Sequence, residues 1–405
     1  MSGRRLRVLV VHNRYRSEQP SGENHVVDEE RSLLADAGHH VGSFERRSDD
    51  IASMSLLNRA AVPLRVPWNP VVRAELASRL HAEQPDVVHI HNTFPLLSPS
   101  VVAACVDARV PAVATLHNYL QVCPVGTLYR DGRVCTECTG RAPLPAVRHG
   151  CYRGSRLATI PMAVNMVANR RRWWSGVARY FCLSEAQRET LVQAGMPAER
   201  LAVKHNFVAD PGARRTVSGE HVLYLGRLES AKGIRLLMEA WDMISAGGGV
   251  GMPLVLAGTG SLQNEVAQWA RDRDDIQYLG LLSRAECCKF TARSAAVVAP
   301  STCMETFGLT VAEAMAAGVP AIAAAHGGFV DLVTDGVTGL LHRPGDAESL
   351  AESVQHAVSS SAFNRRMGEA ARRRYERDFT PSVGLDRLVA EYEAAIAGAW
   401  TGEPQ

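Results

Sequence analysis

Apolar and polar positions along the chain follow two alternating rhythms. Short apolar runs at 6–12, 40–44, 86–91 and 110–117 read as strands. Between them, at 23–37, 71–83 and 98–108, apolar positions recur three and four apart and read as helices, the first closed by Gly38. Strands alternating with helices of about 10–15 residues predict a parallel, doubly wound sheet. The rhythm breaks at 48–70, where three prolines and no clear period predict irregular chain, and again at 123–151. It resumes with a helix at 157–176, a strand at 179–183, a helix at 185–194 closed by Gly195, and a strand at 201–205. Residues 206–219 have the Gly, Pro and polar content of a linker.

A second series then begins. Strands are predicted at 221–225, 254–257, 276–279, 295–300, 320–325 and 339–342, and helices at 233–244, 261–271, 284–293 and 309–317. Helices at 347–358, 363–378 and 381–397 finish the chain. The predicted class is α/β, with two Rossmann-like doubly wound domains facing a central cleft. The first covers 1–208 with a Cys-rich insert at 123–151, the second covers 209–378, and a last helix occupies 379–400.

Composition narrows this picture without changing it. A chain of 405 residues exceeds the usual single domain, and 46% hydrophobic content supplies two cores. A net charge of +2 gives no global attraction to nucleic acid or to a membrane and leaves only local patches to act. No apolar run reaches the length of about 18 residues that a membrane-spanning helix needs. The apolar run at 6–11 is also too short for a signal peptide. Of nine cysteines, Cys105, Cys182, Cys287, Cys288 and Cys303 are scattered through strand- and helix-like contexts, which predicts reduced thiols and a cytoplasmic protein.

Chemistry concentrates at the ends of strands, where doubly wound sheets bind ligands. In the first series these ends carry His12, His89, His91, Asn92, His117 and Asn118. In the second, residues 301–318 run S-T-C-M-E-T-F-G-L-T-V-A-E-A-M-A-A-G, from a buried strand through a turn into a helix stopped by Gly318 and Pro320. The N–H groups at that helix start form an anion site. Glu305 in the turn and Glu313 on the helix suit hydrogen bonds from hydroxyls of a sugar and a ribose. An acid favouring the helix dipole and a second, solvated acid fit the same positions. Gly226-Arg227-Leu228-Glu229-Ser230-Ala231-Lys232-Gly233 also joins a strand to a helix, so Arg227 and Lys232 flank a helix start and can neutralise a diphosphate. Gly258 and Gly260 permit close backbone approach at the next turn, although Gln263 leaves a dinucleotide fingerprint incomplete.

Three further groups stand apart. Cys123, Cys135, Cys138 and Cys151, with two of them three residues apart, have the spacing of a structural zinc site that His149 could share, or are free thiols or a redox pair. Residues 169–174, N-R-R-R-W-W, suit lipid headgroups or a solvated, partly packed helix. Asp272-Arg273-Asp274 reads as surface rather than as a metal site.

With these residues in place, the chain resembles the family-4 retaining glycosyltransferases of the two-Rossmann GT-B fold over nearly its whole length. The segment from Glu305 to Glu313 carries most of the likeness, supported by Gly226–Gly233. The resemblance implies that Glu305 holds sugar hydroxyls, that Glu313 holds the ribose, and that Arg227 and Lys232 hold the diphosphate beside the amides of Phe307, Gly308, Leu309 and Thr310. It places His117 near the transferred sugar and Gly22 in a glycine loop after the first strand, where Ser21-Gly22 replaces the usual glycine pair. Asn118 stands where the family commonly has Asp. His12, His91, Asn92 and Asn118 fall on the acceptor side, and the last helix crosses back onto the first domain. The implied reaction is metal-independent transfer, with retention, from a UDP- or GDP-linked sugar to a saccharide, a lipid-linked or a small-molecule acceptor, in polysaccharide, glycolipid or secondary-metabolite glycosylation. No cofactor is needed for catalysis. No nucleic acid is expected, and peripheral contact with the inner face of a membrane is compatible. A sugar-nucleotide epimerase of the same fold, or a non-catalytic sugar-nucleotide-binding module, are the competing readings.

Overall fold

The computed structural model describes residues 4–17, 21–215 and 219–399. Residues 18–20, part of the linker expected at 206–219 and position 400 of the last helical segment lie outside the described residues. The chain divides into two compact units. One takes in residues up to Leu128, Thr136–Lys204 and those from Leu385 onward; the other takes in Tyr129–Cys135 and His205–Gly384.

The first unit is built on a six-stranded sheet whose strands are β1 (Arg7–Arg14), β2 (His40–Arg47), β3 (Val87–Asn92) and β4 (Ala112–Leu116), then, beyond the short hairpin of β5 (Tyr129–Arg130) and β6 (Arg133–Val134), β7 (Arg179–Cys182) and β8 (Leu201–Val203). Their order is β2-β1-β3-β4-β7-β8, with every pairing parallel. All carboxyl ends therefore share one edge. β3 and β4 are buried along their whole length, as strands covered by helices on both faces must be. Leu6, Val8, Val10, Val27, Leu34 and Phe181 form one core face with Leu388 and Tyr392 of the last helix, Pro381–Ala399.

The stretch at 48–70, expected to be irregular, instead contains the helices Asp50–Ser53 and Leu56–Arg65. Ser55 caps the second by accepting from Asn58 N at 3.4 Å, and Pro63 sits inside it near its end. Proline there removes the donor that would bond the Arg59 carbonyl and crowds that carbonyl, and the helix stops two residues later. Pro70 opens the next helix, Pro70–Glu83, at the first position, where a missing N–H costs nothing. Of the three prolines that suggested irregular chain, Pro70 thus marks a helix start and Pro63 lies inside a helix.

The second unit repeats the plan with β9 (His221–Leu225), β10 (Leu254–Ala257), β11 (Ile276–Tyr278), β12 (Ser294–Ala299), β13 (Ala321–Ala324) and β14 (Gly339–His342), in the order β11-β10-β9-β12-β13-β14, all parallel. One of its cores packs the stripe Ile234, Leu237, Trp241 and Ile244 of the helix Ile234–Ala246 against Val222, Tyr224 and Leu256. The indole N–H of Trp241 donates to Asp275 at 3.0 Å, so burial of the ring leaves no donor unmet. Residues 129–135, counted with the first domain from sequence, group with this unit. The Tyr129 hydroxyl lies 3.4 Å from both Ser230 Oγ and Thr302 Oγ1, contacts that no local pattern announces.

Candidate functional site

In the second unit β9, β10 and β12 are sheet neighbours, so the turns that follow them meet at one edge. Backbone hydrogen bonds stitch these turns together: Leu228 N donates to Thr259 O at 2.9 Å, Leu262 N to Leu228 O at 2.9 Å, and Thr302 N to Ala231 O at 3.0 Å. Two glycines make this closeness feasible. A Cβ on Gly258 would lie 1.8 Å from the Gly226 carbonyl oxygen, and one on Gly233 would lie 1.9 Å from that of Pro300. Both also have positive φ, 140° and 73°.

The stitching brings Lys232 onto Glu305. Their Nζ and Oε1 atoms are 2.6 Å apart, and Ser301 Oγ donates to the same carboxylate oxygen at 2.7 Å. The side chains are 25% and 17% exposed, so the pair is shielded yet open to a ligand. Burial pushes the Glu305 carboxyl upward, but Lys232, Ser301 and Arg227 outweigh it and hold the group ionised below its ordinary range. Burial likewise pulls the Lys232 ammonium down, and Glu305 more than restores it. An ammonium has three donors, of which Glu305 takes one.

Beside this pair begins the helix Leu309–Ala317, whose N-cap is Gly308 at φ 113° and whose first turn has no side-chain cap. Phe307 is buried against Phe379 and His205, anchoring the turn. Thr310 Oγ1 reaches the carbonyl of Leu225 at 3.5 Å. Arg227 is exposed, Gly260 packs its backbone on Leu228, and the Glu313 carboxylate stands 3.8 Å from Arg284. Arg284 was not singled out from sequence, because it lies on the preceding helix, 29 positions from Glu313. Asp272-Arg273-Asp274 takes no part: Arg273 pairs with Asp275 and Asp242.

In the first unit the strand-end histidines form a chain that is buried at His89 and His91 and half-buried at His117. His89 Nδ1 lies 2.7 Å from the Tyr392 hydroxyl and its Nε2 lies 2.8 Å from Thr115 Oγ1. His91 Nδ1 meets His117 Nε2 at 3.0 Å, and His91 Nε2 stands 3.6 Å from Glu30 Oε2. The other oxygen of Glu30 is held by Lys204, and both of those side chains are buried. The Glu30 charge favours the proton of His91 on Nε2. His91 Nδ1 then accepts from His117 Nε2–H, and Nδ1 is left as the unprotonated nitrogen of His117.

The other first-unit residues anticipated from sequence serve the local fold. His12 Nε2 donates to Asn24 Oδ1 at 2.8 Å. The Asn92 amide donates to Asn13 O at 3.1 Å while its oxygen accepts from Phe94 N at 2.9 Å. Asn118 Oδ1 accepts from Leu120 N at 3.0 Å. Gly22 is the first residue of the helix Gly22–Asp36, capped by Ser21. The next residue, Glu23, was not anticipated: burial pushes its carboxyl up to about 8, with Tyr15 OH at 3.2 Å. A small cavity of about 50 Å³ is lined by His91, His117, Asn118, Gln121, Met166 and Arg170, among others.

Glu30 and Lys204 were also missed. The available signal for Glu30 was its place in the stripe Val26, Val27, Glu30, Leu34 on the buried face of its helix. For Lys204 it was rarity, since only Lys204, Lys232 and Lys289 are lysines among 44 basic side chains. Two of these three meet a glutamate.

Among the described residues, one group of three metal-type ligands lies within 4.8 Å, namely Glu30, His89 and His91. Lys204 already neutralises Glu30, and both nitrogens of His89 are occupied, so the group fits a hydrogen-bonded core better than a cation. None of Cys123, Cys135, Cys138 and Cys151 enters it; Cys123 and Cys138 are buried, Cys135 and Cys151 half-buried, and His149 faces Glu137 at 3.3 Å.

This histidine chain has a consequence for pH. Burial holds His89 and His91 well below the ordinary imidazole range and pushes His117 down to about 3. The folded state keeps them neutral, while the unfolded chain takes up protons below about pH 6.5. Stability should therefore be flat above neutrality and fall as pH drops from 6.5 toward 3, by up to about 1.4 kcal/mol per pH unit for each histidine. Calorimetry between pH 7.5 and 5 should show this decline, reduced by about one histidine's share in His117→Asn. A melting temperature constant over that range would contradict the neutral chain.

Residues 20–210 match the family described as Glycosyltransferase Family 4, and residues 214–374 match Glycosyl transferases group 1. The chain belongs to the family-4 glycosyltransferases. Its two parallel sheets with flanking helices are the α/β GT-B fold. As a family-4 chain it is 32% identical over 197 residues to a glycogen synthase of Mycobacterium tuberculosis, covering 48% of this chain and 47% of that protein. It is 27% identical over 202 residues to the O-antigen chain mannosyltransferase C of Escherichia coli, covering 49% and 53%. The chain thus spans about half the length of the curated relatives it matches. Among solved structures, Anabaena Alr3699/HepE in complex with UDP superposes at a TM-score of 0.69 with 20% identity, over 96% of this chain and 100% of that one. Sucrose-phosphate synthase from Thermosynechococcus elongatus superposes at 0.71 with 19% identity, over 97% and 100%. These likenesses establish the fold.

Proposed function

We propose that this family-4 chain moves a sugar from a nucleoside-diphosphate sugar to an acceptor hydroxyl, with retention and without a catalytic metal. The observation that supports this best is the shielded Lys232–Glu305 pair beside an uncapped helix start. Lys232, Arg227 and the amides of Phe307 to Thr310 present positive charge and donors to a diphosphate leaving group. Stabilising the charge that grows on a leaving group is commonly the greatest single source of enzymatic rate enhancement. Glu305 accepts from sugar hydroxyls and Glu313, beside Arg284, from the ribose. Gly258 and Gly260 let the backbone approach the donor. Neutral His117, with its proton placed on Nε2 through His91, belongs in this reading to the acceptor side, as the family likeness implies. In this reading the leaving diphosphate deprotonates the acceptor on the same face of the sugar, so no side chain acts as nucleophile. The relatives and neighbours favour the reading, since one neighbour, Anabaena Alr3699/HepE, is solved both with UDP and with UDP-glucose.

The test is a thermal-shift panel of UDP, GDP, ADP and their sugar conjugates, with divalent metal chelated. A ligand at about 100 times its Kd should add roughly 2.7 kcal/mol to the stability of the unit that binds it. One nucleotide should stand out, and NMR of the product made from its sugar conjugate should show the donor's anomeric configuration retained. No response to any nucleotide, with or without metal, would refute the reading.

A further inference from the structure

The helix Arg156–Gly176 is apolar on two faces, and only one of them is covered. Thr159, Met162, Ala163, Met166 and Asn169 are buried. The opposite face follows the same three- and four-residue spacing and is open: Leu157 is 79% exposed, Ile160 42%, Val164 46% and Val167 57%. A helix apolar all round normally lies inside a protein or against lipid. The helix Leu56–Arg65 packs against it with no buried residue at all, and its Leu56, Leu57 and Leu64 are each about four-fifths exposed, at 83%, 86% and 79%. The short helix Leu144–His149 packs on it as well, with Leu144 73% exposed.

The segments that form this apolar surface carry charge of one sign, although Glu137 faces His149 and Asp107 pairs with Arg73 at their borders. Residues 141–176 hold seven arginines and no Asp or Glu, and residues 51–74 hold three arginines and none. Arg170 and Arg172 stack on Trp174 and Trp68, at 4.4 and 4.5 Å. Arg59, Arg141, Arg148, Arg153, Arg156 and Arg171 are exposed, and among the described residues none of the six has a carboxylate partner. On the long helix Arg156 borders the open stripe and Arg171 continues it, four positions beyond Val167.

We infer that these three helices form a docking surface for an anionic lipid bilayer. Exposed Leu, Ile and Val beside unpaired arginines, with no acid on any of the three helices, is the composition of interfacial helices, which bury an apolar face at the headgroup boundary. Arginine stems lie along apolar surface while their heads reach phosphate. No described helix is long and apolar enough to cross a membrane, so the contact is peripheral. Where the proposed glycosyl transfer holds, the surface points to acceptors carried on a lipid; membrane binding itself does not depend on that reading.

The test is co-sedimentation of the full chain with vesicles of phosphatidylcholine alone or mixed with phosphatidylglycerol, at low and high salt. Binding is expected on the anionic vesicles only and should weaken with salt. The variant Leu157→Glu/Val164→Glu should weaken it at least about tenfold, and Arg156→Glu/Arg171→Glu roughly tenfold or more. Both variants should keep the wild-type melting temperature and nucleotide response, since the changed side chains are exposed. Equal binding by wild type and both variants, or no pelleting with anionic vesicles, overturns the inference. So does concentration-dependent self-association that the variants abolish without vesicle binding, which would make the face an interface between copies. Vesicle binding without any nucleotide response would leave the docking surface standing and remove the transferase reading.

Discussion

Lys232→Ala should lower kcat/KM with the donor chosen by the nucleotide panel by about two to three orders of magnitude, the usual effect of deleting one positioned electrostatic donor. The fold should persist, because Gly233, Gly258 and the hydrogen bonds between the turns are untouched. The loss has two parts. One cation no longer faces the leaving diphosphate, and Glu305 loses the main group that keeps it ionised against burial. The carboxyl then protonates at higher pH than in the wild type, so the acid limb of the variant's pH–rate profile should move up. Glu305→Gln should fall by a similar factor, and the double variant by far less than the product, since each residue acts through the other. Stopped-assay rates of the two single variants within a few-fold of wild type would rule out this pair as the reaction centre.

Glu30→Ala should be the most destabilising single change in the first unit. It leaves the Lys204 ammonium, which has no solvent exposure, without its partner. Removing one member of a buried ion pair costs about 3–5 kcal/mol. In a unit of this size each kcal/mol is worth roughly 2–4 °C in Tm. Glu30→Leu combined with Lys204→Met should recover most of that loss, because two apolar side chains avoid desolvating two charges. Activity should not return with stability, since His91 and His117 lose the carboxylate that orders their protons. Calorimetry of the two single variants and the double variant resolves this. A Glu30→Ala cost below about 1 kcal/mol would mean that the pair is effectively solvated.

Much of the architecture was legible because its signals are local. The strands 221–225, 254–257 and 339–342 and the helices 284–293 and 309–317 appear at the residues expected. Each is a short apolar run or a three-to-four spacing bounded by a turn residue. The helix Leu56–Arg65 was not legible, because Pro63 and Pro67 masked its period and no buried face marks it. The double-faced helix Arg156–Gly176 was legible as a helix but not as a surface, since its covered and open sides are both apolar.

The sequence by itself determined the strand–helix alternation of both units and the turn chemistry at 226–233, 258–260 and 305–310, since backbone periodicity and glycine conformation are local properties. Only the tertiary structure decided which charges meet. Lys232 and Glu305 are 73 residues apart and touch because β9 lies next to β12. Lys204 reaches Glu30 across 174 residues, and Tyr392 reaches His89 across 303. An ion pair depends on separations of a few ångströms and on exclusion of water. Both follow from the order of strands in a sheet and from which helix covers it, and neither is written in any window of the chain.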